Sequence, residues 1–432
     1  MARRQAAGPH RAGLAEIALK PIPVAVDALD RPTVPLALNI QLWSHSFAPE
    51  PTGIGPVNTV WAHGLRDRGH RVEVIAAHPH YPEPLWGACR RPYRETRDGI
   101  AILRLPMWVG RDSALQRYRQ ELSFTTALAG AAPFLSRPDV VVSTSPMLSA
   151  LLPAVANVRV RKLPWVLWLH DLLPDGAAAT GLVDEQGMMV ALARRLERTA
   201  YRTANRIVVL SRSFTDNLLS KSVDPRKIEL IYDPATRAPR NSDEPLQNGG
   251  LRILSMGNIG YSQGLAPVIE KFEAGGELIR DASLIITGTG VAAAEARARI
   301  RSDRVKMLGL VDDAQLEQEL SQADVGLVTQ RYEGAEFNIP SKLMNFMAYG
   351  LPIVAAVDPG GEVARIIREA DAGWVVDSRD LDAFPREIAR IGSERTELRQ
   401  RSANARGYAA LHFTPDRFAA RFEEVLLAVI GR

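Results

Sequence analysis

Short apolar runs alternate with amphipathic stretches from residue 36 onward, and this alternation constrains the fold more than any other feature of the sequence. Such runs are typical of strands that are covered on both faces, because side chains on both sides then meet the core. Since helical stretches separate the runs, their order predicts a parallel sheet with helices on both sides. Six strands are predicted before residue 235: Leu36–Trp43, Val72–Ala77, Ile100–Leu105, Val140–Ser143, Trp165–Leu169 and Ile207–Leu210.

A break in this pattern separates two parts of the chain. Residues 233–250 contain three prolines and a glycine pair and have almost no apolar periodicity, which indicates a linker. The 432 residues suffice for two domains, and we predict an α/β protein of two doubly wound domains, over 36–235 and 250–412, after a flexible extension over 1–35. The second domain has six predicted strands: Arg252–Met256, Leu284–Thr287, Val305–Leu308, Val325–Val328, Ile353–Ala356 and Trp374–Val376.

The last segment, 413–432, is predicted to be a helix. Thr414 and Pro415 are a good N-cap and first helical residue. A helix with one strong apolar stripe must dock on another part of the chain, and we expect it to return to the first domain. The stripe consists of Phe418, Phe422, Val425, Leu426 and Val429.

Composition excludes several classes of protein. The chain is 46% hydrophobic and 24% charged, which excludes a disordered or coiled-coil protein. Its single cysteine, Cys89, excludes a disulfide framework and a cysteine-built zinc site, so a reducing compartment is expected. The longest uncharged stretch, Val140 to Val158, is interrupted by turn-forming residues, so no membrane span is predicted. Because residues 1–35 make a poor signal peptide, we expect a cytoplasmic protein.

Three glycine-containing loops directly follow predicted strands, where open α/β sheets bind their ligands. Glycine there lets backbone N–H groups approach an anion at the start of a helix. The third loop nearly matches the dinucleotide fingerprint, but its last glycine is missing, which argues against NAD(P). The loops are Gly53-Ile54-Gly55, Gly257-Asn258-Ile259-Gly260 followed by Gln263, and Gly288-Thr289-Gly290.

The segment from Asn338 to Ile353 carries the most informative motif. Pro340 can open a helix, and Gly350 can end it. Lys342 and Asn345 then lie one helical turn apart on the same face. Lys342 is one of three lysines after residue 250, and a compact ammonium group at a helix N-terminus is a good phosphate ligand.

His170 and Asp171 follow the strand Trp165–Leu169. Polar side chains at that end of a parallel strand face the cleft between the predicted domains. His78 and His80 raise the question of a metal site, but no third ligand has a recognisable spacing.

Together these residues resemble the large retaining glycosyltransferase family four, which has the GT-B fold of two Rossmann-like domains with a C-terminal crossover helix. The resemblance covers nearly everything from Leu36 to Arg432. The block around Lys342 is most similar to the branch that builds exopolysaccharide, capsule or O-antigen, including putative colanic-acid enzymes. The residues that carry the family resemblance are Leu65 with Arg68–Val72, the 53–55 loop, His170-Asp171, Gly257-Asn258, Gly288–Gly290, Ala323–Val325, Pro340–Leu343 and Gly350–Pro352.

The resemblance implies a retaining transfer of a hexosyl or deoxyhexosyl group from a nucleotide diphosphate-sugar to a hydroxyl acceptor, without a metal or other cofactor. The domain over 36–235, completed by 413–432, would bind the acceptor through Gly53, Ile54, Gly55 and Asp171. Lys342 would stabilise the leaving diphosphate, and His170 would contact the transferred sugar. The domain over 250–412 would bind the donor through Gly257, Asn258, Gly260, Gln263, Gly288, Gly290, Glu336, Ile339, Pro340, Ser341, Leu343 and Asn345.

The sequence departs from the family pattern at the donor loops. Phe337 and Asn345 occupy the places of the usual pair of glutamates, and Asn258 and Gln263 replace the usual arginine and lysine. Lys342, backbone N–H groups and Arg331 are left to neutralise the diphosphate. Two alternatives stay open: a nucleotide-sugar 2-epimerase of the same fold, and a non-catalytic subunit of a glycan-assembly complex.

The charge distribution suggests a further partner. Residues 1–240 hold 31 lysines and arginines against 21 acidic residues, whereas the remainder is acidic. Within the first domain, basic residues lie beside aromatic ones at Arg90–Arg94 and at Trp108–Phe124. This pattern suits an anionic membrane surface, so we expect a lipid-linked acceptor and a peripheral position on the inner face of the cell membrane. Nothing in the sequence indicates nucleic-acid binding.

Overall fold

Two sheets contain the predicted strands, and each sheet belongs to one half of the chain. A computed structural model describes residues 37–51, 53–80, 86–110, 114–145, 150–172, 188–237, 250–332 and 339–431, and the statements below refer to these residues. They belong to one compact unit that begins at Ala37. The predicted extension over 1–35 therefore lies outside the described residues.

The first sheet has eight strands in the order β3-β4-β2-β1-β5-β6-β7-β8. Neighbouring strands are parallel except for β3 and β4. The strands are β1 Asn39–Ser44, β2 Arg71–Ala77, β3 Tyr93–Arg97, β4 Ile100–Leu105, β5 Val140–Ser145, β6 Trp165–Leu169, β7 Arg206–Val209 and β8 Ile228–Leu230.

Two strands of this sheet, β3 and β8, were missing from the sequence prediction, because neither has a buried apolar run. β3 is a mostly exposed, charged edge strand that forms a hairpin with β4. Asp98 and Gly99 connect the two with positive φ angles of 48° and 78°, as a tight hairpin turn requires. The Asp-Gly pair was the available sequence signal for β3. Strand β8 is only three residues long.

The second sheet is parallel throughout, with the order β11-β10-β9-β12-β13-β14. In both sheets the chain starts near the centre and the strand order reverses there, which creates a crevice at the carboxyl edge. All six predicted strands are confirmed with small shifts at their ends: β9 Arg252–Ser255, β10 Ser283–Thr287, β11 Val305–Gly309, β12 Val325–Thr329, β13 Ile353–Val357 and β14 Gly373–Asp377.

Helices connect the strands and cover both sheets. Those of the first half are α1 Gly55–Asp67, α2 Ala114–Ala131, α3 Leu151–Arg161, α4 Met188–Thr203 and α5 Arg212–Ser220. Those that follow are α6 Leu265–Ala274, α7 Ala293–Arg297, α8 Asp313–Gln322, α9 Lys342–Tyr349, α10 Glu362–Glu369, α11 Phe384–Ser393, α12 Arg395–His412 and α13 Pro415–Val429. None of the described helices is long and apolar enough to span a membrane.

The C-terminal helix α13 returns to the first sheet, as its apolar stripe predicted. Thr414 caps it by accepting a hydrogen bond from Arg417 N. Phe418 and Phe422 pack against Trp168 at ring-centroid distances of 5.7 and 4.7 Å. The predicted fold class, two doubly wound sheets with a crossover helix, is confirmed.

The start of the predicted linker is a buried connection between the two cores. Ile231 packs in the core of the first sheet and Ala235 in that of the second, and Ala235 N donates a hydrogen bond to Phe413 O at 2.8 Å. Residues 238–249 lie outside the described part of the chain. The domain limits given above stay a prediction.

Candidate active site

Two of the predicted glycine loops meet at the carboxyl ends of β9 and β10. Gly257 N donates a hydrogen bond to Thr287 O at 3.0 Å, and Ile259 N donates to Thr289 O at 2.9 Å. Gly288 has a φ angle of 113°, and a methyl group there would lie 1.9 Å from the carbonyl oxygen of Gly257. Glycine at 288 is therefore required for the two loops to touch, in addition to any contact with a ligand.

Asn258 lies between the same two loops. Its side chain is close enough that a methyl group at Gly260 would lie 3.3 Å from Nδ2, and one at Gly290 would lie 2.7 Å from Oδ1. Gly290 has a φ angle of 159°. The structure thus brings four predicted donor residues, Gly257, Asn258, Gly260 and Gly290, to one end of the second sheet.

Lys342 reaches this end of the sheet from the first turn of α9. It is only 6% exposed, and its Nζ donates a hydrogen bond to Gln263 Oε1 at 3.2 Å. Burial lowers the pKa of Lys342 to about 8. No carboxylate of the described residues forms an ion pair with it, although buried charges are normally paired. Within the described part of the chain, the buried amine has a neutral amide as its hydrogen-bond partner.

A second cation lies beside Gln263. Arg331, the second residue after β12, donates a backbone hydrogen bond to Ser262 O at 2.8 Å. A methyl group at Gly264 would lie 3.0 Å from Arg331 Cγ, so the arginine side chain starts directly against the first turn of α6. Arg331 is exposed and forms no ion pair within the described ranges. Gln263 is thus close to both Lys342 and Arg331.

The side chain of Asn345, one turn after Lys342, forms hydrogen bonds with other residues of the protein. Its Oδ1 accepts hydrogen bonds from Thr236 N at 2.8 Å and Arg237 N at 3.0 Å, and its Nδ2 donates to Ser341 O at 3.2 Å. The side chain therefore holds the start of the linker on α9. A contact with a donor, as the sequence predicted, would have to replace these bonds.

The other residues of this predicted block have different surroundings. Leu343 is fully buried in the core of the second sheet, so its side chain packs there. Ile339 is half-buried and packs against the cores of both sheets, Pro340 is also half-buried, and Ser341 is exposed. Glu336 lies outside the described residues. The prediction that these residues bind the donor stays a prediction.

His170 ends β6 at the carboxyl edge of the first sheet. It is 6% exposed, and its ring lies 4.4 Å from that of Trp168. Nδ1 is 3.7 Å from Asp233 Oδ2, while the buried Nε2 has no hydrogen-bond partner among the described residues. Asp171 is half-buried, and burial raises its pKa to about 6. The edge therefore holds a carboxyl group that can change protonation close to neutral pH.

The loop Gly53–Gly55 leads into α1 at the same edge, with β5 between it and the strand of His170. Gly53 is exposed and has a φ angle of 70°, and Gly55 is the first residue of the helix. Sequence reasoning missed the groups beneath this loop, Glu50 and His80, which are buried against each other. The sequence analysis considered His80 only as a metal ligand. For Glu50, the available signal was an acidic residue in a proline-rich loop before Gly53.

Two family models match the chain. Residues 52–234 match the glycosyl transferase 4-like domain. Residues 250–394 match the glycosyl transferases group 1 domain. The boundary between the two matches falls in the segment that connects the sheets. Together the models cover well over half of the chain.

Two bacterial relatives are similar over much of their length. The putative colanic acid biosynthesis glycosyl transferase WcaI of Escherichia coli is 27% identical over 360 residues, which cover 76% of this chain and 86% of WcaI. The probable glycosyltransferase WbjE of Pseudomonas aeruginosa is 29% identical over 271 residues, 59% of this chain and 66% of WbjE. The match to WbjE thus spans just under two thirds of that relative.

Solved structures share the fold. Sucrose-phosphate synthase from Thermosynechococcus elongatus has a TM-score of 0.68 at 18% identity, covering 91% of this chain and 99% of its own. HepE from Anabaena, in complex with UDP-glucose, has a TM-score of 0.66 at 15% identity, covering 90% and 100%. One family model matches the half of the chain that forms the first sheet, and the other matches the half that forms the second. The chain therefore belongs to the retaining GT-B glycosyltransferases of family four.

Proposed function

We propose that the chain transfers a sugar from a nucleotide diphosphate donor, held at the carboxyl edge of the second sheet, to a hydroxyl acceptor at the edge of the first. The putative role of WcaI in colanic acid biosynthesis and the complex of HepE with UDP-glucose support a nucleotide-sugar donor and a polysaccharide or glycoconjugate product. The base and the sugar of the donor are left open by this proposal.

The observation that carries the proposal is the buried ammonium group of Lys342, which forms no ion pair with a carboxylate of the described residues. Its 6% exposure and its pKa of about 8 reflect a charge that these residues do not compensate. An anion brought beside Gln263 would compensate it, and a diphosphate also suits the nearby Arg331. These groups supply the positive charge for the leaving diphosphate without requiring a metal ion.

The proposed reaction relies on positioning and charge stabilisation. Retention by attack on the front face lets the leaving phosphate itself accept the proton of the acceptor hydroxyl. Lys342 and Arg331 stabilise the charge that develops on that phosphate. His170, whose buried Nε2 has no hydrogen-bond partner among the described residues, would contact the transferred sugar.

A membrane surface is the finer part of the proposal, and most of its residues belong to the stretch Trp108–Phe124 named in the sequence prediction. Phe124 is buried in the core of the first sheet, whereas Arg94 is exposed and pairs with Glu73 at 2.9 Å. The first half of α2 exposes an apolar face at helical spacing beside the exposed Arg119. Its members, with Trp108 before the helix, are 45 to 58% exposed: Trp108, Leu115, Tyr118 and Leu122.

Thermal shift with UDP, GDP, ADP and TDP tests the donor site, because a ligand that binds the folded state raises the melting temperature. At least one diphosphate should stabilise the wild type, and Lys342→Ala should weaken its binding about ten- to hundredfold, since a charged hydrogen bond contributes about 1.5–3 kcal/mol. Lys306→Ala is the matched control because Lys306 is an exposed lysine on β11. Equal affinity in wild type and Lys342→Ala would refute the role of Lys342.

A further inference from the structure

A buried carboxylate–imidazole pair lies at the carboxyl edge of the first sheet, apart from the groups used above. Glu50 follows β1 and is 3% exposed, and His80 follows β2 and is 2% exposed. Glu50 Oε1 accepts a hydrogen bond from His80 N at 2.8 Å and lies 2.9 Å from His80 Nδ1. We propose that this pair binds an uncharged hydroxyl group of the sugar acceptor, an inference that rests on the acceptor site proposed for the first sheet.

Arg104 holds in place the two segments that carry the pair. Its side chain is fully buried and donates hydrogen bonds to the carbonyl groups of Ala48 and Ala77, two residues before Glu50 and three before His80. Its charge is balanced by Glu95 on β3, whose Oε1 lies 2.8 Å from Nε. The geometry of the pair is thus fixed before any ligand arrives, as a binding site requires.

The hydrogen bonds determine which nitrogen of His80 carries the proton. Burial acts to raise the pKa of Glu50, but hydrogen bonds from the side chain and backbone of His80 outweigh it and hold that pKa below its ordinary value. An ionised carboxylate can only accept, so the proton of a neutral imidazole lies on Nδ1. The other nitrogen, Nε2, is then an acceptor, and within the described residues this buried atom has no hydrogen-bond partner.

The charge around the pair selects the kind of ligand. A buried acceptor without a partner is unfavourable, and a hydroxyl group removes that cost by donating its proton. A phosphate would instead meet the negative charge of Glu50. The same carboxylate also faces the start of α1, since a methyl group at Gly55 would lie 3.8 Å from Glu50 Oε2. The positive end of this helix is thereby matched by Glu50 and is a poor anion site.

The pair adjoins the predicted acceptor loop, because a methyl group at Gly55 would lie 3.3 Å from Glu50 Cβ. Pro51 and Gly53, one and three residues after Glu50, are exposed, so the chain passes from the buried carboxylate to the surface within three residues. A sugar that binds on the loop would bring its hydroxyl groups close to the pair. The pair therefore selects sugars at a loop whose glycines alone would have indicated a phosphate site.

Nuclear magnetic resonance of the full-length protein with labelled histidine tests this inference. The His80 signals are identified by their loss in His80→Gln. The probes are the methyl glycosides of glucose, galactose, mannose and fucose and, separately, inorganic phosphate and pyrophosphate, each up to about 100 mM because single sugars bind weakly. At least one glycoside should shift the His80 signals saturably, while phosphate and pyrophosphate should not.

Glu50→Gln should weaken the glycoside about three- to tenfold by removing a charge-assisted bond. His412→Gln is the control, because His412 lies on α12 in the other half of the chain. The inference is overturned if the phosphates shift His80, if no glycoside does so, or if Glu50→Gln leaves the affinity unchanged. Thermal shift with nucleotide diphosphates on the same samples separates the two proposals. If a nucleotide binds but no glycoside shifts the His80 signals, only the inference about Glu50 and His80 is overturned.

Discussion

At the scale of single residues, Lys342 lies beside a position where this chain departs from the family pattern. The family resemblance leads one to expect a lysine at position 263, where this sequence has glutamine. The Nζ of Lys342 lies 3.2 Å from Gln263 Oε1. A cation on either side chain would therefore lie at nearly the same place.

This interpretation predicts a rescue. Lys342→Ala should lose about ten- to hundredfold in affinity for the nucleotide diphosphate, and adding Gln263→Lys should restore most of that loss, because the new ammonium group starts beside the old one. Isothermal titration of the single and double variants measures the effect. Gln263→Lys in a Lys306→Ala background is the control. A double variant as weak as Lys342→Ala would show that a cation at position 263 cannot act at the place of the Lys342 amine.

The burial of Lys342 also predicts a pH-dependent stability. Its pKa is about 8 in the folded protein against 10.5 ordinarily, so between these values the unfolded state binds more protons and stability rises with pH. Below pH 8 the burial of the charge has its full cost. Lys342→Met should therefore be more stable than the wild type at pH 7 by about 3 kcal/mol at most, and the difference should fade by pH 10.5.

Urea denaturation at pH 7 and near pH 10 measures this difference without any ligand. Lys306→Met serves as the control for loss of a lysine at an exposed position. If Lys342→Met were no more stable than wild type at pH 7, the ammonium group would not be carrying an uncompensated charge.

At the scale of elements, the site depends on how closely the loops after β9 and β10 approach. Two backbone hydrogen bonds join them, and Gly288 leaves no room for a side chain. The loops form a single surface beside Lys342 rather than two separate ligand contacts. The glycines that suggested a nucleotide site are thus at least partly required by packing.

Gly288→Ala should separate these loops. Its φ of 113° and the 1.9 Å approach to Gly257 O predict a loss of about 2–4 kcal/mol in stability, together with weaker nucleotide binding. Gly407→Ala is the matched control: Gly407 lies within α12 with open space around it, so alanine should stabilise slightly. Equal unfolding free energies for wild type and Gly288→Ala would contradict the required contact.

At the scale of the whole molecule, the two halves are joined by the segment from Ile231 to Ala235 and by the crossover helix α13. Ile339 packs against the cores of both sheets. The donor groups of the second sheet and the His170 edge of the first therefore belong to one connected structure. The exposed apolar face of α2 lies in the half of the chain proposed for the acceptor.

This placement predicts binding to anionic vesicles. The wild type should co-sediment with them at low salt and be released as salt increases, because screening weakens the basic contribution. Replacing Leu115, Tyr118 and Leu122 together by serine should abolish co-sedimentation and leave nucleotide binding intact. Leu411→Ser, at a 54% exposed position of α12, is the control. Absence of vesicle binding at every ionic strength would indicate an acceptor that is free of the membrane.

The sequence by itself determined most of the strands and their parallel arrangement. Each of the predicted apolar runs became a strand because a strand buried on both faces needs such a run, wherever its neighbours come from. The same holds for α13, whose apolar stripe required a partner. Lys342 was identified because an isolated lysine after Pro340 is a local signal.

Only the tertiary structure decided which of these residues meet. Lys342 and Gln263 are far apart in sequence, Asn345 is used by the linker, and Glu50 pairs with His80 across two strands. No pattern of short range encodes such contacts, because they depend on the order of strands within a sheet and on how closely loops approach. The charged edge strand β3 was missed for the same reason: its partner strand, rather than its own composition, makes it a strand.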